Sequence, residues 1–154
     1  MEKIRSIFWK EKSWSGLTKE EWYAVGSLRI EVFVVEQNCP YQDFDRNDDK
    51  SDHVLGFNTQ GELVAYSRIL FPGVTYQEVS IGRVVVAKQA RGLGVGQKLM
   101  KQSIGFVEKK YGQVPVHISA QEYLLDFYEK LGFRRVTQVY LEDDIPHVGM
   151  DLDW

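Results

Sequence analysis

An arginine and three closely spaced glycines form the segment Arg91-Gly92-Leu93-Gly94-Val95-Gly96. A valine-rich run precedes it and a helix-like pattern begins at Gln97, so the segment joins a strand to a helix. The first turn of a helix leaves backbone N–H groups without partners and carries partial positive charge. Glycines let an anion approach that backbone, and Arg91 can add a charge-assisted hydrogen bond. The segment predicts an anion-binding turn, with a plain glycine-rich turn as the alternative.

The glycine spacing separates this turn from two common nucleotide-binding motifs. The dinucleotide fingerprint G-x-G-x-x-G, begun at Gly92, needs glycine at position 97, which is Gln97. The phosphate loop G-x-x-x-x-G-K-[ST] also fails, because Gly96 is followed by Gln97-Lys98-Leu99 with no Ser or Thr in place. The remaining pattern, R-x-x-G-x-G, predicts an anion cradle without residues for a metal ion.

The elements that position this turn can be predicted from periodicity and turn chemistry. Thr18 and Glu21 form a capping-box pattern at the start of the first helix, and Gly112 and Gly132 fit the ends of two later helices. We expect helices over 19–34 or beyond, 97–110 and 122–131. We expect strands over 4–10, 53–58, 62–70, 77–87, 114–119, 134–141 and 146–152. This order predicts an α/β fold, a mixed sheet with helices on both faces.

Length, charge and composition narrow the class of protein. A chain of 154 residues, 44% hydrophobic and 27% charged, fits one globular domain over residues 1–154. The net charge of −3 and the lack of a basic cluster argue against nucleic-acid binding. A single cysteine, Cys39, excludes an internal disulfide and a cysteine-rich zinc site. Without a run of about 20 apolar residues or a signal-peptide pattern, we expect a cytoplasmic protein that does not bind membranes.

Two motifs together resemble the GNAT superfamily of N-acetyltransferases. The glycine turn after a valine-rich strand is similar to the acetyl-CoA signature of that superfamily. Its second signature, a Tyr-x-x-x-Gly-Phe pattern in the helix after the next strand, is matched by the run from Tyr128 to Phe133. Longer blocks at 28–41, 81–86, 120–121 and 145–147 resemble the ElaA-like branch of the superfamily. The similarity therefore extends over nearly the whole chain.

The resemblance implies a GNAT fold, in which a mostly antiparallel central sheet contains a splayed parallel strand pair, here 81–87 and 114–119. Acetyl-CoA is then the expected cosubstrate, with no metal ion. The resemblance places its pantetheine arm on the backbone of Val84, Val85 and Val86, its pyrophosphate on the amides of residues 91–96, and the oxyanion donor at an amide N–H near Val85. Gln121 stands where the superfamily often has Asn, and we expect it to contact the cofactor arm.

Acyl transfer from a thioester to an amine needs a base for the ammonium and an acid for the leaving thiolate. The resemblance assigns the acid to Tyr128, because a phenol can donate to sulfur. The alternative is a core tyrosine, since Leu124, Phe127, Tyr128 and Leu131 have helical core spacing. Glu78 is the expected base, because histone-acetylating members carry a glutamate at a similar distance before the turn; the alternative is a solvated carboxylate.

Several side chains are expected to line the acceptor cleft. The resemblance places Arg29, Glu36 and Gln37, near the end of the first helix, at this cleft. His53 and His147 join them because histidines change charge near neutral pH. His117 alternates with apolar residues and is expected to be structural.

The segment 43–52 is rich in aspartate, and Asp43-x-Asp45-x-Asn47 is similar to the start of a calcium loop. Asp48 stands where such a loop needs glycine, and Val54 where it needs a bidentate glutamate. We therefore expect a solvated loop, with an acidic rim that attracts a cationic amine as the alternative. Cys39 lacks a supporting histidine pattern and is expected to be a packed thiol rather than a nucleophile.

These patterns predict an acetyl-CoA-dependent N-acetyltransferase. It would pass the acetyl group of acetyl-CoA directly to a primary amine on a small molecule or a peptide. The alternative is a non-catalytic acyl-CoA-binding sensor module, which needs only the anion cradle. The sequence leaves open whether the chain forms a homodimer.

Overall fold

The computed structural model describes residues 6–154, and a sheet of eight strands lies at the centre of this part of the chain. The strands are β1 (Phe8–Ser13), β2 (Ser51–Phe57), β3 (Leu63–Leu70), β4 (Val79–Val86), β5 (Val116–Gln121), β6 (Phe133–Arg135), β7 (Tyr140–Glu142) and β8 (Ile145–Leu152). Their order is β1-β2-β3-β4-β5-β8-β6, and β7 pairs with β8. Of these pairs only β4 and β5 run parallel.

The helices are α1 (Lys19–Arg29), α2 (Val95–Tyr111) and α3 (Leu125–Glu129). The predicted capping box starts α1: Thr18 Oγ1 accepts from the Glu21 N–H at 3.0 Å, and the Glu21 carboxylate accepts from the Thr18 N–H at 2.9 Å. The helical path continues beyond α1 as a wider π-helical turn, Ile30–Glu36. Within residues 6–154, every helix is too short or too polar to cross a bilayer.

Helices cover both faces of the sheet, and neighbouring residues of β3 show this. The Tyr66 ring lies 5.8 Å from the guanidinium of Arg29, the last residue of α1. The next residue, Ser67, shares a 2.7 Å hydrogen bond with Ser103 of α2. Because successive strand residues point to opposite faces, α1 and α2 lie on opposite sides of the sheet. The expected mixed sheet with helices on both faces is confirmed.

The elements differ from the sequence predictions mainly at their ends. The first strand was expected over 4–10 and runs over Phe8–Ser13; positions 4 and 5 lie outside the described residues. The expected strand 134–141 is divided into β6 and β7, because Thr137 Oγ1 accepts a hydrogen bond from the Gly149 N–H and interrupts the pairing with β8. The predicted helix 122–131 begins as a 3-10 turn, Glu122–Leu124, before α3.

Candidate active site

Strands β4 and β5 diverge and open a gap in the sheet. In the described part of the chain they pair at only two positions, Val79 with Val116 and Ser80 with His117. From Ile81 onward the β5 side of β4 has no strand partner among these residues, so backbone N–H and C=O groups face the gap. The gap belongs to a cavity of about 830 Å³, the size of a small-molecule site. The expected splayed parallel pair is confirmed.

A β-bulge shapes β4 beside the gap. The register with β3 shifts between Tyr66 and Arg68, and Arg83 has a left-handed φ of 49°. A bulge bends its strand and increases its twist, which fits the divergence of β4 from β5. The periodicity of the sequence did not predict this bulge. Gly82, just before Arg83, was the available signal, because an isolated glycine inside a strand favours a bulge.

The end of β4 and the glycine turn form one wall of the cavity, and we call residues 84–86 and 91–96 the glycine-turn wall. Gly92 and Gly94 have left-handed φ angles of 80° and 76°, which residues with a side chain rarely adopt. A Cβ added to either would meet nothing within 4 Å, so the space before the turn is open. The first α2 hydrogen bond joins the Lys98 N–H to the Gly94 carbonyl at 3.1 Å. The amides of 95–97 precede this bond, and together with the open glycines they form an anion cradle.

Arg91 links the glycine-turn wall to the end of the π-helical turn. Its guanidinium donates to the two Glu36 carboxylate oxygens at 2.6 and 3.1 Å and to the Val86 carbonyl at 3.1 Å. The hydrogen bond from Arg91 lowers the pKa of Glu36. Glu36 and Gln37 line the cavity, where the sequence placed them. The Leu93 side chain of the turn does not line the cavity and packs against the core.

Tyr128 borders the cavity and also packs in the core. It is 7% exposed, and its ring lies edge-on to Phe127 and Phe133, with centroids 5.1 and 5.9 Å away. Burial raises the pKa of the Tyr128 hydroxyl, which therefore stays a neutral phenol at physiological pH. The position of Tyr128 is thus compatible both with a core tyrosine and with an acid at the cavity. Gln121, at the end of β5, lines the same cavity.

Side chains from β5, β7 and β8 form another wall, and we call Ser119, Glu142 and His147 the β8 wall. His147 is 6% exposed and lies opposite Gln121 across the β5–β8 pair. Its Nδ1 lies 2.6 Å from the Ile145 carbonyl, which can only accept, so Nδ1 carries the hydrogen. Its Nε2 lies 3.4 Å from Glu142 Oε2, and Ser119 Oγ donates to Glu142 Oε1 at 3.2 Å.

Arg29 does not lie at the acceptor cleft, and this expectation is corrected. Its side chain is fully buried outside the cavity lining, and it donates to the carboxylates of Asp43 at 2.8 Å and Asp48 at 2.6 Å. A buried guanidinium needs such partners, because it has lost its hydration. An arginine enclosed in this way has no surface with which to contact an acceptor.

His53 is also outside the cavity, contrary to the expectation. Its strand β2 is separated from β4 by β3, so its side chain cannot reach the gap. It is fully buried, with hydrogen bonds to the Tyr66 hydroxyl at 2.6 Å and the Asp48 carbonyl at 3.0 Å. Burial lowers the pKa of His53 to about 4, so the imidazole is neutral at physiological pH.

The structure also places Glu78 away from the cavity, which does not support its role as the base. Glu78 immediately precedes Val79, where β4 and β5 are still paired. The cavity lining on β4 begins beyond this pairing, at Ile81, and does not include Glu78. Glu78, at the closed end of the strand pair, is therefore not among the side chains that border the gap.

The acidic segment is a buried charge network rather than the expected solvated loop. Asp43 and Asp48 are both buried and hold Arg29 between them. Asp45 forms two hydrogen bonds with Arg68, both at 2.8 Å. Burial acts to raise the pKa of Asp45, but the hydrogen bond and charge of Arg68 lower it to about 2.

This network connects with the cavity through the bulge. Arg83 forms an ion pair with Asp43 at 2.8 Å, and the Tyr41 hydroxyl donates to the same carboxylate at 2.9 Å. Tyr41 and Arg83 both line the cavity. The available sequence signal was Arg68, a charged residue in a largely apolar strand, together with Arg29 on the buried face of α1. Charges at such positions predict buried partners.

Cys39 is half-buried in the cavity lining, and its Sγ lies 3.7 Å from the Asp143 carbonyl oxygen. This contact fits a packed thiol. Across residues 6–154, no group of three or more His, Cys, Asp or Glu side chains is arranged to hold a metal ion.

Known proteins of similar sequence and structure define the class. Residues 18–154 match the family model described as an acetyltransferase (GNAT) domain. The chain is 46% identical to the protein ElaA of Escherichia coli over 146 residues, which are 94% of this chain and 95% of that protein. The crystal structure of Escherichia coli ElaA matches with a TM-score of 0.90 and 43% identity, covering 96% of this chain and 100% of that one. An acyl-CoA N-acyltransferase from Pseudomonas aeruginosa matches with a TM-score of 0.91, 45% identity and the same coverage.

The fold and the cavity are those of an acyl-CoA-dependent acyltransferase. The chain belongs to the GNAT acetyltransferase family, in its ElaA-like branch. The open cradle of Gly92 and Gly94 and the unpaired edge of β4 fit an acyl-CoA cosubstrate, which carries a diphosphate and amide groups. Family membership favours an enzyme that acts on amine acceptors over the non-catalytic sensor module.

Proposed function

We propose that this protein transfers the acetyl group of acetyl-CoA directly to a primary amine of a small molecule or a peptide. One observation carries the proposal: the anion cradle, the unpaired edge of β4 and Tyr128 all border the same cavity. They suit, in that order, the diphosphate, the amide-bearing arm and the thioester sulfur of acetyl-CoA. A cosubstrate bound in this way would bring its acetyl carbon into the gap between β4 and β5.

The glycine-turn wall binds the cosubstrate mainly through backbone groups. The amides of residues 91–96 bind the diphosphate, and Arg91 adds its positive charge. The gap-facing backbone groups of residues 84–86 bind the arm, and an amide N–H near Val85 on this edge of β4 donates to the oxygen that becomes negative during transfer. Gln121 contacts the arm from the β5 side.

The reacting amine approaches along Glu36, Gln37 and His147, which border the cavity. An alkylammonium has a pKa of about 10.4, so the acceptor must lose a proton before it can attack. The nitrogen then bonds to the acetyl carbon while the bond from carbon to sulfur breaks. Tyr128, a neutral phenol because of its burial, gives the leaving sulfur a proton.

An amine screen with thiol detection tests this function. The protein is mixed with acetyl-CoA and a panel of primary amines and lysine peptides, and both free CoA thiol and acetylated product are measured. We expect thiol release that depends on the amine and equals the product formed. If calorimetry shows that acetyl-CoA binds but no amine causes thiol release, the result would favour the sensor-module alternative. Faster transfer from octanoyl-CoA than from acetyl-CoA would contradict the acetyl specificity.

A further inference from the structure

The base that accepts the proton of the acceptor amine is unassigned once Glu78 is placed outside the cavity. Identifying it rests on the proposed function, because only an amine acceptor requires such a base. Within the described residues, the cavity is lined by seven Asp, Glu, His, Cys or Tyr side chains, apart from Tyr128. They are Glu36, Cys39, Tyr41, Tyr123, Glu142, Asp143 and His147.

Two of the candidates are already committed to other partners. Glu36 binds Arg91 through both carboxylate oxygens, and this hydrogen bonding lowers the pKa of Glu36 and weakens it as a base. Tyr41 donates its hydroxyl hydrogen to Asp43, and burial raises the pKa of Tyr41. A phenol held in its neutral form is a poor proton acceptor.

His147 faces the gap from one side of the sheet. Gln121 and His147 lie directly opposite each other on β5 and β8, so their side chains share a face. Ser119, two residues before Gln121, lies on the same face and borders the cavity too. The intervening Ala120, and Val148 after His147, point to the other face and are buried in the core.

Tyr128 reaches the same cavity from the opposite side. Its ring packs on Phe133, which lies across from Leu152 on β8. Leu152 has the same strand parity as Val148, so it points to the face away from His147. A proton acceptor on one face and a proton donor on the other therefore border one gap, as transfer between two substrates requires.

The surroundings of His147 suit a group that takes up a proton at Nε2. The bond from Nδ1 to the Ile145 carbonyl fixes the tautomer in which the neutral ring has its lone pair on Nε2. The Tyr140 ring lies nearly parallel to the imidazole, with the two ring centroids 6.2 Å apart. When Nε2 is protonated, the Glu142 carboxylate, 3.4 Å away, balances the new charge.

We propose that His147 is the general base of this enzyme and that Glu142 stabilises its protonated form. The acceptor ammonium gives one proton to Nε2, and the neutral nitrogen forms the C–N bond as the C–S bond breaks. The sulfur takes a proton from Tyr128, and the second proton shed by the nitrogen restores the Tyr128 hydroxyl. An amide and a free thiol result, and His147 releases its proton to solvent.

The test uses an alkylamine acceptor and its β-fluorinated analogue, such as ethylamine and 2,2,2-trifluoroethylamine. The two have similar shapes, but the fluorinated amine is largely neutral at the assay pH. In the His147→Asn variant the Asn amide can still donate to the Ile145 carbonyl, while Nε2 is lost. We expect kcat/KM to fall about 10²- to 10⁴-fold for the alkylamine, the usual contribution of a general base. For the fluorinated amine, the loss in kcat/KM should be at least tenfold smaller. Acetyl-CoA affinity should not change.

His117→Asn is the matched control, because His117 lies on the same face of the β5–β8 pair but outside the cavity lining. It should transfer to both amines at the wild-type rate. Equal losses on the two amines, or no loss, in His147→Asn would overturn the proposal. Thermal unfolding is measured for this variant and for His147→Gln. The variant that is folded is then used to compare the two amines. A wild-type protein inactive on both amines and on the wider panel would instead contradict the proposed function.

Discussion

The two walls of the cavity are built in different ways. The glycine-turn wall consists largely of backbone: two left-handed glycines, the first amides of α2 and the unpaired edge of β4. The β8 wall consists of side chains from three strands, and its groups hold one another through contacts such as the Glu142 carboxylate with His147. The glycine turn is six consecutive residues, whereas Ser119 and His147 are far apart in the chain.

This difference separates the chemistry of the two substrates. Backbone amides recognise a phosphate by its charge and shape, and they change little when side chains are substituted. In the proposed function the acceptor meets side chains, which substitution can alter while the fold remains the same. Under the proposed function, the acyl donor would thus have a fixed site and the acceptor an adjustable one.

Gly94→Glu should produce the largest effect, because it places a carboxylate within the anion cradle. Like charges about 4 Å apart near a protein surface repel by about 4 kcal/mol, so acetyl-CoA affinity should fall at least about 100-fold. Calorimetry measures the loss. Gly105→Glu, which adds the same charge to an exposed position on α2, is the control. Gly94→Asn tolerates a positive φ and separates strain from charge. Unchanged affinity in Gly94→Glu would reject the site.

Arg29→Leu should destabilise the protein without entering the cavity. It would leave Asp43 and Asp48 buried with less compensating charge, and removing one partner of a buried pair costs about 3–5 kcal/mol. Urea unfolding measures the free energy of unfolding. Arg134→Leu removes an exposed ion pair with Asp153 and should cost no more than about 1 kcal/mol. If the two variants lost equal stability, the buried charge network would not stabilise the fold more than an exposed ion pair does.

The sequence revealed the glycine turn and the main elements because their signals are local. The capping box of α1 and the left-handed glycines each depend on residues within one turn of the chain. The charge network could not be predicted in the same way, because it joins Arg29, Arg68 and the segment 43–48 across three separate elements. Glu78 was predicted from the number of residues that separate it from Arg91. Strand pairing and the bulge, however, determine which part of β4 meets the cavity.

Tyr128→Phe tests the proposed proton donor, which borders the same cavity as the two walls. The phenylalanine ring keeps the packing against Phe127 and Phe133 but removes the proton donor. We expect kcat to fall about 100-fold, at the low end for a general acid, with unchanged acetyl-CoA affinity. Tyr23→Phe, at a tyrosine 79% exposed and outside the cavity lining, is the control. A variant with full activity would leave Tyr128 as a core residue alone.

Glu36→Gln should have the smallest effect, and it tests whether the two substrate sites are linked. Arg91 shares its charge with the Glu36 carboxylate, so less of that charge is directed at a diphosphate. An exposed ion pair is worth about 0–1 kcal/mol, so removing it should tighten acetyl-CoA binding by up to about fivefold. The same change should raise the KM of the amine, because it removes a negative charge that borders the cavity and attracts the ammonium. Glu31→Gln, at an exposed position of the same π-helical turn, controls for the loss of one charge. Weaker acetyl-CoA binding in Glu36→Gln would mean that the ion pair holds Arg91 in its binding position rather than competing for it.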